Sequence, residues 1–174
     1  MYLLETERLL FRPLTREDLP WLVEMRSPDA VNRYLGGPQM QNAEALDKRL
    51  DFYISCHEKF GFGSCVMELK ATGELIGTSG IQPLEDTGEI EVGYNLSERF
   101  WRHGYGYECA MGWLQYGFRT HGLDRIVAIA DPANIGSWKI MEKCGMRYEK
   151  TEAHYGIECV FYAISREEFD SLHA

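Results

Sequence analysis

Residues 89–106 run Glu89-Ile-Glu-Val-Gly-Tyr-Asn-Leu-Ser-Glu-Arg-Phe-Trp-Arg-His-Gly-Tyr-Gly106, an alternating segment that passes into a basic, glycine-spaced loop. Ile90, Val92, Tyr94 and Leu96 fall on one face of a period-two segment and Glu91, Gly93 and Asn95 on the other, which predicts a strand with one polar face. The loop then opens a helix. A helix N-terminus presents unpaired N–H groups with partial positive charge, and Gly104 and Gly106 let the backbone come close to a ligand. The chain is therefore expected to cradle a phosphorylated cofactor. Gly93 marks either a bulge that splays this strand from its neighbour or a packing contact.

The flanking segments supply a frame. Arg8 to Leu14 reads as a strand, and Thr15 with Asp18 starts a helix through Met25 in the manner of a capping box. Asn42 caps a long helix whose apolar residues Leu46, Leu50, Tyr53 and Ile54 recur at helical spacing and which Gly61 ends. Ser64 to Lys70 and Leu75 to Gln82 flank the turn Ala71-Thr-Gly-Glu74, and Asp86-Thr-Gly88 turns into the strand that follows, so three antiparallel strands are expected. From Gly104 to Thr120, Tyr107, Met111, Leu114 and Phe118 predict a helix and its buried stripe. The apolar run Arg125 to Ala130 has the character of a strand buried on both faces, completing a β-α-β crossover with parallel strands. A helix from Asn134 to Cys144 ends at Gly145, and Tyr148 to Glu152 with Glu158 to Ile164 closes the chain as a hairpin. No linker or repeat divides residues 1–174, which are read as a single α/β domain with a mixed, mostly antiparallel sheet, a splayed parallel pair and flanking helices.

Composition narrows the partners. A chain of 174 residues that is 45% hydrophobic can close a core. The net charge of −9 disfavours nucleic acid and suits cationic substrates better. Five cysteines without a Cys-x-x-Cys pair, and histidines without ligand spacing, point to a reducing, cytoplasmic setting and to no metal site. No apolar run nears the ~20 residues that span a membrane, and Glu5 and Glu7 stand where a signal peptide would be basic and then apolar.

Other phosphate binders fit poorly. In a Gly-x-Gly-x-x-Gly dinucleotide fingerprint the third glycine would fall at Cys109, and several strands precede it; a P-loop's Gly-Lys-Ser/Thr ending is absent. The ordered set Thr6-Glu-Arg-Leu-Leu-Phe-Arg-Pro-Leu14, Glu91-Val-Gly-Tyr94, Trp101-Arg-His-Gly-Tyr-Gly106 and Asn134-Ile-Gly-Ser-Trp-Lys-Ile-Met-Glu-Lys-Cys-Gly145 resembles the GNAT superfamily of acetyl-CoA-dependent N-acetyltransferases, in particular its Rim branch of ribosomal-protein acetyltransferases. The resemblance implies that the pyrophosphate of acetyl-CoA lies on the amides of Arg102, His103, Gly104, Tyr105 and Gly106. It also implies that Asn134 bonds its pantetheine arm and that Ser137 lies near the sulfur, while backbone N–H groups of Val92, Gly93 and Tyr94, freed by a bulge, are expected to meet the acetyl oxygen. Asn134 reads equally as a helix cap. Where many members carry a tyrosine acid, seven residues after the asparagine, this chain has Met141.

Acetyl transfer needs a neutral amine, an oxyanion site and a proton for the leaving thiolate. Glu91 is the expected base, with Glu89 as its substitute and an ion pair with an arginine as its structural alternative; Ser137, water or no acid at all serves the leaving thiolate. An α-amine, pKa about 7.7 to 8, is easier to deprotonate than a lysine amine near 10.4, so a protein N-terminus is the expected acceptor. Polyamines, amino acids or aminoglycosides are the alternatives within the enzyme reading, and a silent acyl-CoA-binding module is the alternative to it. Arg33, Tyr34 and His154 are candidates for specificity, and the assembly is read as monomer or homodimer.

Overall fold

The computed structural model describes residues 1–174. Strands β1 (Leu4–Glu5), β2 (Leu9–Pro13), β3 (Ser64–Leu69), β4 (Leu75–Pro83), β5 (Ile90–Leu96), β6 (Arg125–Ala130), β7 (Arg147–His154) and β8 (Ile157–Ser165) form one sheet in the order β1-β2-β3-β4-β5-β6-β8-β7. Every neighbouring pair is antiparallel except β5 with β6. Helices α1 (Leu19–Arg26), α2 (Asp29–Asn32) and α3 (Ala43–Phe60) precede β3; α4 (Tyr105–Arg119) crosses from β5 to β6, α5 (Ile135–Lys143) leads to β7, and α6 (Arg166–Leu172) ends the chain. Periodicity gave no warning of β1, α2 or α6, which are too short to show it.

Local chemistry sets the boundaries. The Asn42 carboxamide accepts from the Ala45 N–H at 2.9 Å, and Gly61 closes α3 at φ 75°, left-handed geometry that glycine adopts without a Cβ penalty. The Thr15 N–H donates to the Asp18 carboxylate at 2.8 Å and Arg12 pairs with the same group, so burial of Asp18 is offset and its carboxyl is held below the usual range.

The main core lies between the sheet and α4 and includes Phe11, Met67, Ile81, Trp113 and Ile126. Trp113 meets Phe11 edge-on at 5.5 Å and donates to Ser79 Oγ at 2.9 Å, so its full burial, worth on the order of 5 kcal/mol, leaves no polar atom stranded. The sequence stripe on α4 needs a correction. Tyr107 and Met111 are only half-buried, while the buried face is Gly106, Cys109, Ala110, Trp113, Leu114, Gly117 and Phe118. Small residues bring the helix against its neighbours, which a pattern built on large apolar residues misses: a Cβ on Gly117 would stand 2.7 Å from Ile126 Cδ1. On the opposite face of the sheet, α1 and α3 pack through Leu22, Leu46, Leu50 and Tyr53.

The expected bulge at Gly93 is absent. β4 and β5 keep unbroken register from Gly77↔Leu96 to Pro83↔Ile90. The splay lies on the other side: β5 and β6 pair only at Glu91↔Val127 and then part. Backbone groups of β5 that point away from β4 beyond Glu91 thus have no strand to meet. This opening, between α4, α5 and the face carrying α3, is where a ligand can enter.

Candidate active site

A cavity of about 150 Å³ opens at the parted strands, and Glu91, Val92, Gly93, Tyr94, Asn134, Ser137 and Met141 all line it. A Cβ on Gly93 would meet nothing within 4 Å, so this glycine faces open space and the packing alternative falls. Glu91 sits on the same strand face, 6% exposed. Its Oε1 accepts from Gln82 Nε2 at 3.1 Å and from the Tyr155 hydroxyl at 3.2 Å, whereas Oε2 accepts no hydrogen bond. Burial pushes the Glu91 carboxyl up to about 7, against the opposing pull of those two donors, Arg49 and His154. A carboxylate poised near neutrality with one free oxygen is chemically suited to take a proton.

Glu89 does not share this place. It precedes β5 and takes both oxygens to Arg125 Nε at 3.2 Å, while the other guanidinium nitrogens of Arg125 hold Glu149. The substitute base is thereby an ion-pair residue outside the cavity. Arg33 is exposed outside the cavity and lies over the Tyr34 ring at 5.0 Å, while Tyr34 and His154 line the cavity.

Two residues that sequence reasoning missed, Gln82 and Tyr155, hold Glu91 in place. Tyr155 and Gly156, at φ 53° and 74°, form the two-residue turn between β7 and β8. A tyrosine at positive φ is strained, and here the turn aims its hydroxyl at Glu91. Beside it, buried His154 is clamped by Glu85 Oε1 on Nδ1 and Glu152 Oε1 on Nε2, each at 2.8 Å, tying the hairpin to the β4–β5 turn. Tyr155→Phe removes one bond that favours the carboxylate, so the Glu91 carboxyl should rise further. The acid limb of kcat/KM is expected to move to higher pH by up to about one unit, with the chain still folded. An unchanged limb would disconnect Tyr155 from Glu91.

The loop before α4 is built for an anion. No acceptor meets the N–H groups of Arg102 to Tyr107, six in succession. Arg102 at φ 62° and Gly104 at φ 82° curl this backbone as anion-binding nests do. Arg8, which sequence reasoning did not single out, staples the loop. Its Nη1 donates to the His103 carbonyl at 2.9 Å, its guanidinium covers the Tyr105 ring at 4.3 Å, and its Nε pairs with Glu108 at 2.7 Å. The Arg102 and His103 side chains are exposed, and His103 stacks on Tyr105 with centroids 5.8 Å apart. Gly106 is buried, and a Cβ there would stand 2.7 Å from Ile140 Cδ1, so it serves the α4–α5 contact.

At the mouth of α5, the Asn134 side chain makes no cap bond, which removes its reading as a conventional N-cap. The Ser137 hydroxyl makes no hydrogen bond either, while its carbonyl accepts from the Tyr94 hydroxyl at 2.8 Å. That bond pins α5 to β5, and burial raises the Tyr94 phenol far above its usual range. The five cysteines are all unpaired and buried, no helix is long and apolar enough to cross a membrane, and no trio of His, Cys, Asp or Glu converges as a metal site.

Known proteins share this architecture and sequence. The family described as acetyltransferase (GNAT) domain matches residues 8–147. The uncharacterized N-acetyltransferase YnaD of Bacillus subtilis (strain 168) is 41% identical over 144 residues, 83% of this chain and 82% of its own. The uncharacterized protein YkkB of the same organism is 30% identical over 85% of this chain and 87% of its own. Among solved structures, an acetyltransferase from Agrobacterium tumefaciens str. C58 superposes with TM-score 0.81 at 28% identity, covering 92% of each chain. A sheet parted beside a glycine-loop helix, together with these matches, leads to one assignment: the chain belongs to the GNAT family of acetyltransferases.

Proposed function

We propose that this chain acetylates the α-amine of a protein N-terminus, in the manner of ribosomal-protein acetyltransferases, with Glu91 as general base. The observation that carries the reading is the Glu91 carboxyl, buried and raised to about 7 beside the open Gly93. Proton transfer to it from an α-amine, pKa about 7.7 to 8, is uphill by only about 1 kcal/mol, against about 5 kcal/mol from a lysine side chain near 10.4. GNAT acetyltransferases use acetyl-CoA, which supplies an acyl thioester activated toward amines.

This chain's residues fit that donor at each point. The free amides of Arg102 to Gly106 receive a pyrophosphate, and the unbonded Asn134 carboxamide is available to a pantetheine amide. The Tyr94 amide of β5, which turns away from β4 past the single β5–β6 pairing at Glu91, provides a donor for a carbonyl oxygen. As the new C–N bond forms and the C–S bond breaks, Glu91 Oε2 accepts the amine proton, and the thiolate leaves beside the free Ser137 hydroxyl, which can donate a hydrogen bond to it while solvent supplies the proton. With Met141 buried where a tyrosine acid is usual, little else is needed, since a thiol of pKa about 8.5 is a good leaving group.

The test is acetyl-CoA-dependent thiol release with N-terminal peptides, spermidine and an aminoglycoside in parallel. Release with the peptides alone supports the assignment. Preferential release with either small amine would reassign the acceptor, and acetyl-CoA binding without release for any amine would support a silent module.

A further inference from the structure

The cavity wall contributed by α1 contains a cation with no anion beside it. Arg26, in the last turn of α1, is 3% exposed and lines the cavity. Its Nη1 donates to Gln41 Oε1 at 3.2 Å and its Nη2 to Thr78 Oγ1 at 3.1 Å, both neutral groups, and its buried Nε–H has no acceptor. Arg8, Arg12, Arg16, Arg99 and Arg125 all find carboxylates, whereas Arg26 finds none.

A guanidinium stays charged at any pH that a folded chain meets, so burying it without a counter-ion is costly. The C-terminus of α1 offsets only a small part of that cost, because the helix dipole acts as a fraction of a charge. Arg49, the other arginine on this wall, differs: it lies over the Tyr155 ring at 5.0 Å and has Glu91 near enough to raise its own proton affinity. Arg26 is therefore the one cavity cation whose charge is unanswered.

Its position relative to the proposed chemistry follows from register. Thr78 lies opposite Asn95, Gly80 opposite Gly93 and Gln82 opposite Glu91. Thr78, the anchor of Arg26 on β4, is thus the diagonal cross-strand neighbour of Gly93, roughly 7 to 8 Å away. An anion that keeps a hydrogen bond of ~2.8 Å to the guanidinium on its side toward Gly93 would sit roughly 4 to 5 Å from an amine placed at Gly93. A glutamate residue with a free α-amine has about this spacing between amine and side-chain carboxylate. A polyamine would instead bring positive charge toward both Arg26 and Arg49.

Building on the acceptor site described under Proposed function, we propose that Arg26 binds a carboxylate on the acceptor, which makes the substrate class an α-amine carrying an acidic group, either a peptide with an acidic N-terminal residue or a free acidic amino acid. The test compares kcat/KM for matched acceptors, peptides beginning with Glu or Gln and free L-glutamate or L-glutamine, with the wild type, Arg26→Gln and Arg26→Lys. The wild type should favour the carboxylate member of the pair it uses by about 10- to 100-fold, the range for a hydrogen bond to a charged group. Arg26→Gln should bring that preference close to one, chiefly through KM, and Arg26→Lys should retain part of it. The peptide and free amino acid arms distinguish the two sources.

Equal use of Glu and Gln acceptors by the wild type would overturn the assignment while leaving acetyl transfer intact; so would a loss of rate in Arg26→Gln that is the same for both. If no amine releases thiol, the acetyl-transfer reading has failed separately, and calorimetric titration of L-glutamate and L-glutamine in the presence of CoA decides for Arg26. Selective glutamate binding lost in Arg26→Gln supports it, and equal or absent binding overturns it. Should Arg26→Gln fail to fold, the wild-type pair and Arg26→Lys give the same reading.

Discussion

Glu91→Gln is expected to lower kcat/KM for acetyl transfer by about 10² to 10⁴, the usual contribution of a positioned base, while acetyl-CoA binding stays within a factor of about two. The same substitution should make the protein more stable above neutral pH. Glu91 is buried with its carboxyl raised to about 7 from an ordinary value of 4.5, so between those two values the folded chain holds a proton that the unfolded chain releases. Stability from this group is present below about 4.5, declines as pH rises toward 7, and is lost above it. The full gap amounts to about 3 kcal/mol, and a neutral glutamine that can still accept from Gln82 or Tyr155 avoids it. Thermal melting at pH 8 should therefore show a higher Tm for the variant, with the difference vanishing near pH 4. A variant that is inactive but no more stable at pH 8 would mean that Glu91 is not held as a strained, ionisable carboxyl. Such an exchange of stability for reactivity is common at catalytic groups.

Gly104→Val should weaken acetyl-CoA binding about 10²-fold in a calorimetric titration, with the fold retained. Gly104 has φ 82°, which a β-branched residue avoids, and a Cβ there would stand 3.3 Å from Arg8 Nη2. The loop would have to unwind the curl that aims the amides of Arg102 to Tyr107 and loosen the Arg8 staple on the His103 carbonyl. Several charge-assisted hydrogen bonds to a pyrophosphate would weaken together. Because the loop is exposed and outside the Trp113 core, Tm should change little. Unchanged affinity for acetyl-CoA would place the pyrophosphate elsewhere.

The strand-loop-helix order around residues 89–106 was legible because its determinants are local: alternation in β5, glycines at the loop and the apolar run of β6. The cap of α3 by Asn42 and Gly61 was legible for the same reason. The phase of α4 was not, since its buried side uses Gly106, Ala110 and Gly117, whose value lies in what they lack. Gly93 signalled a special place in β5 but not its cause, because strand parting depends on where β6 runs, which no residue of β5 reports.

The side of the site that would meet the acceptor was the least readable. Arg26, Arg49 and Tyr155 reach the cavity from α1, α3 and the β7–β8 turn, and nothing in their own neighbourhoods marks them. Tyr155 occupies a turn position that usually signals itself with asparagine or glycine. Glu89 and Glu91 look alike in sequence, two residues apart, and differ because Arg125 reaches one from 36 residues away. The overall charge of −9 pointed toward cationic substrates, whereas the cavity wall holds Arg26 without a counter-ion, so the local field and the net charge point in different directions.

The most direct measurement is the pH dependence of kcat/KM for acetyl-CoA-dependent thiol release with an α-amine peptide, run on the wild type and on Glu91→Gln. The wild-type rate should rise with pH through an apparent pKa near 7 in addition to the limb of the amine itself, with the limb near 7 missing from the variant. A wild-type profile set by the amine alone, or a variant that keeps the limb near 7, would contradict Glu91 as the base.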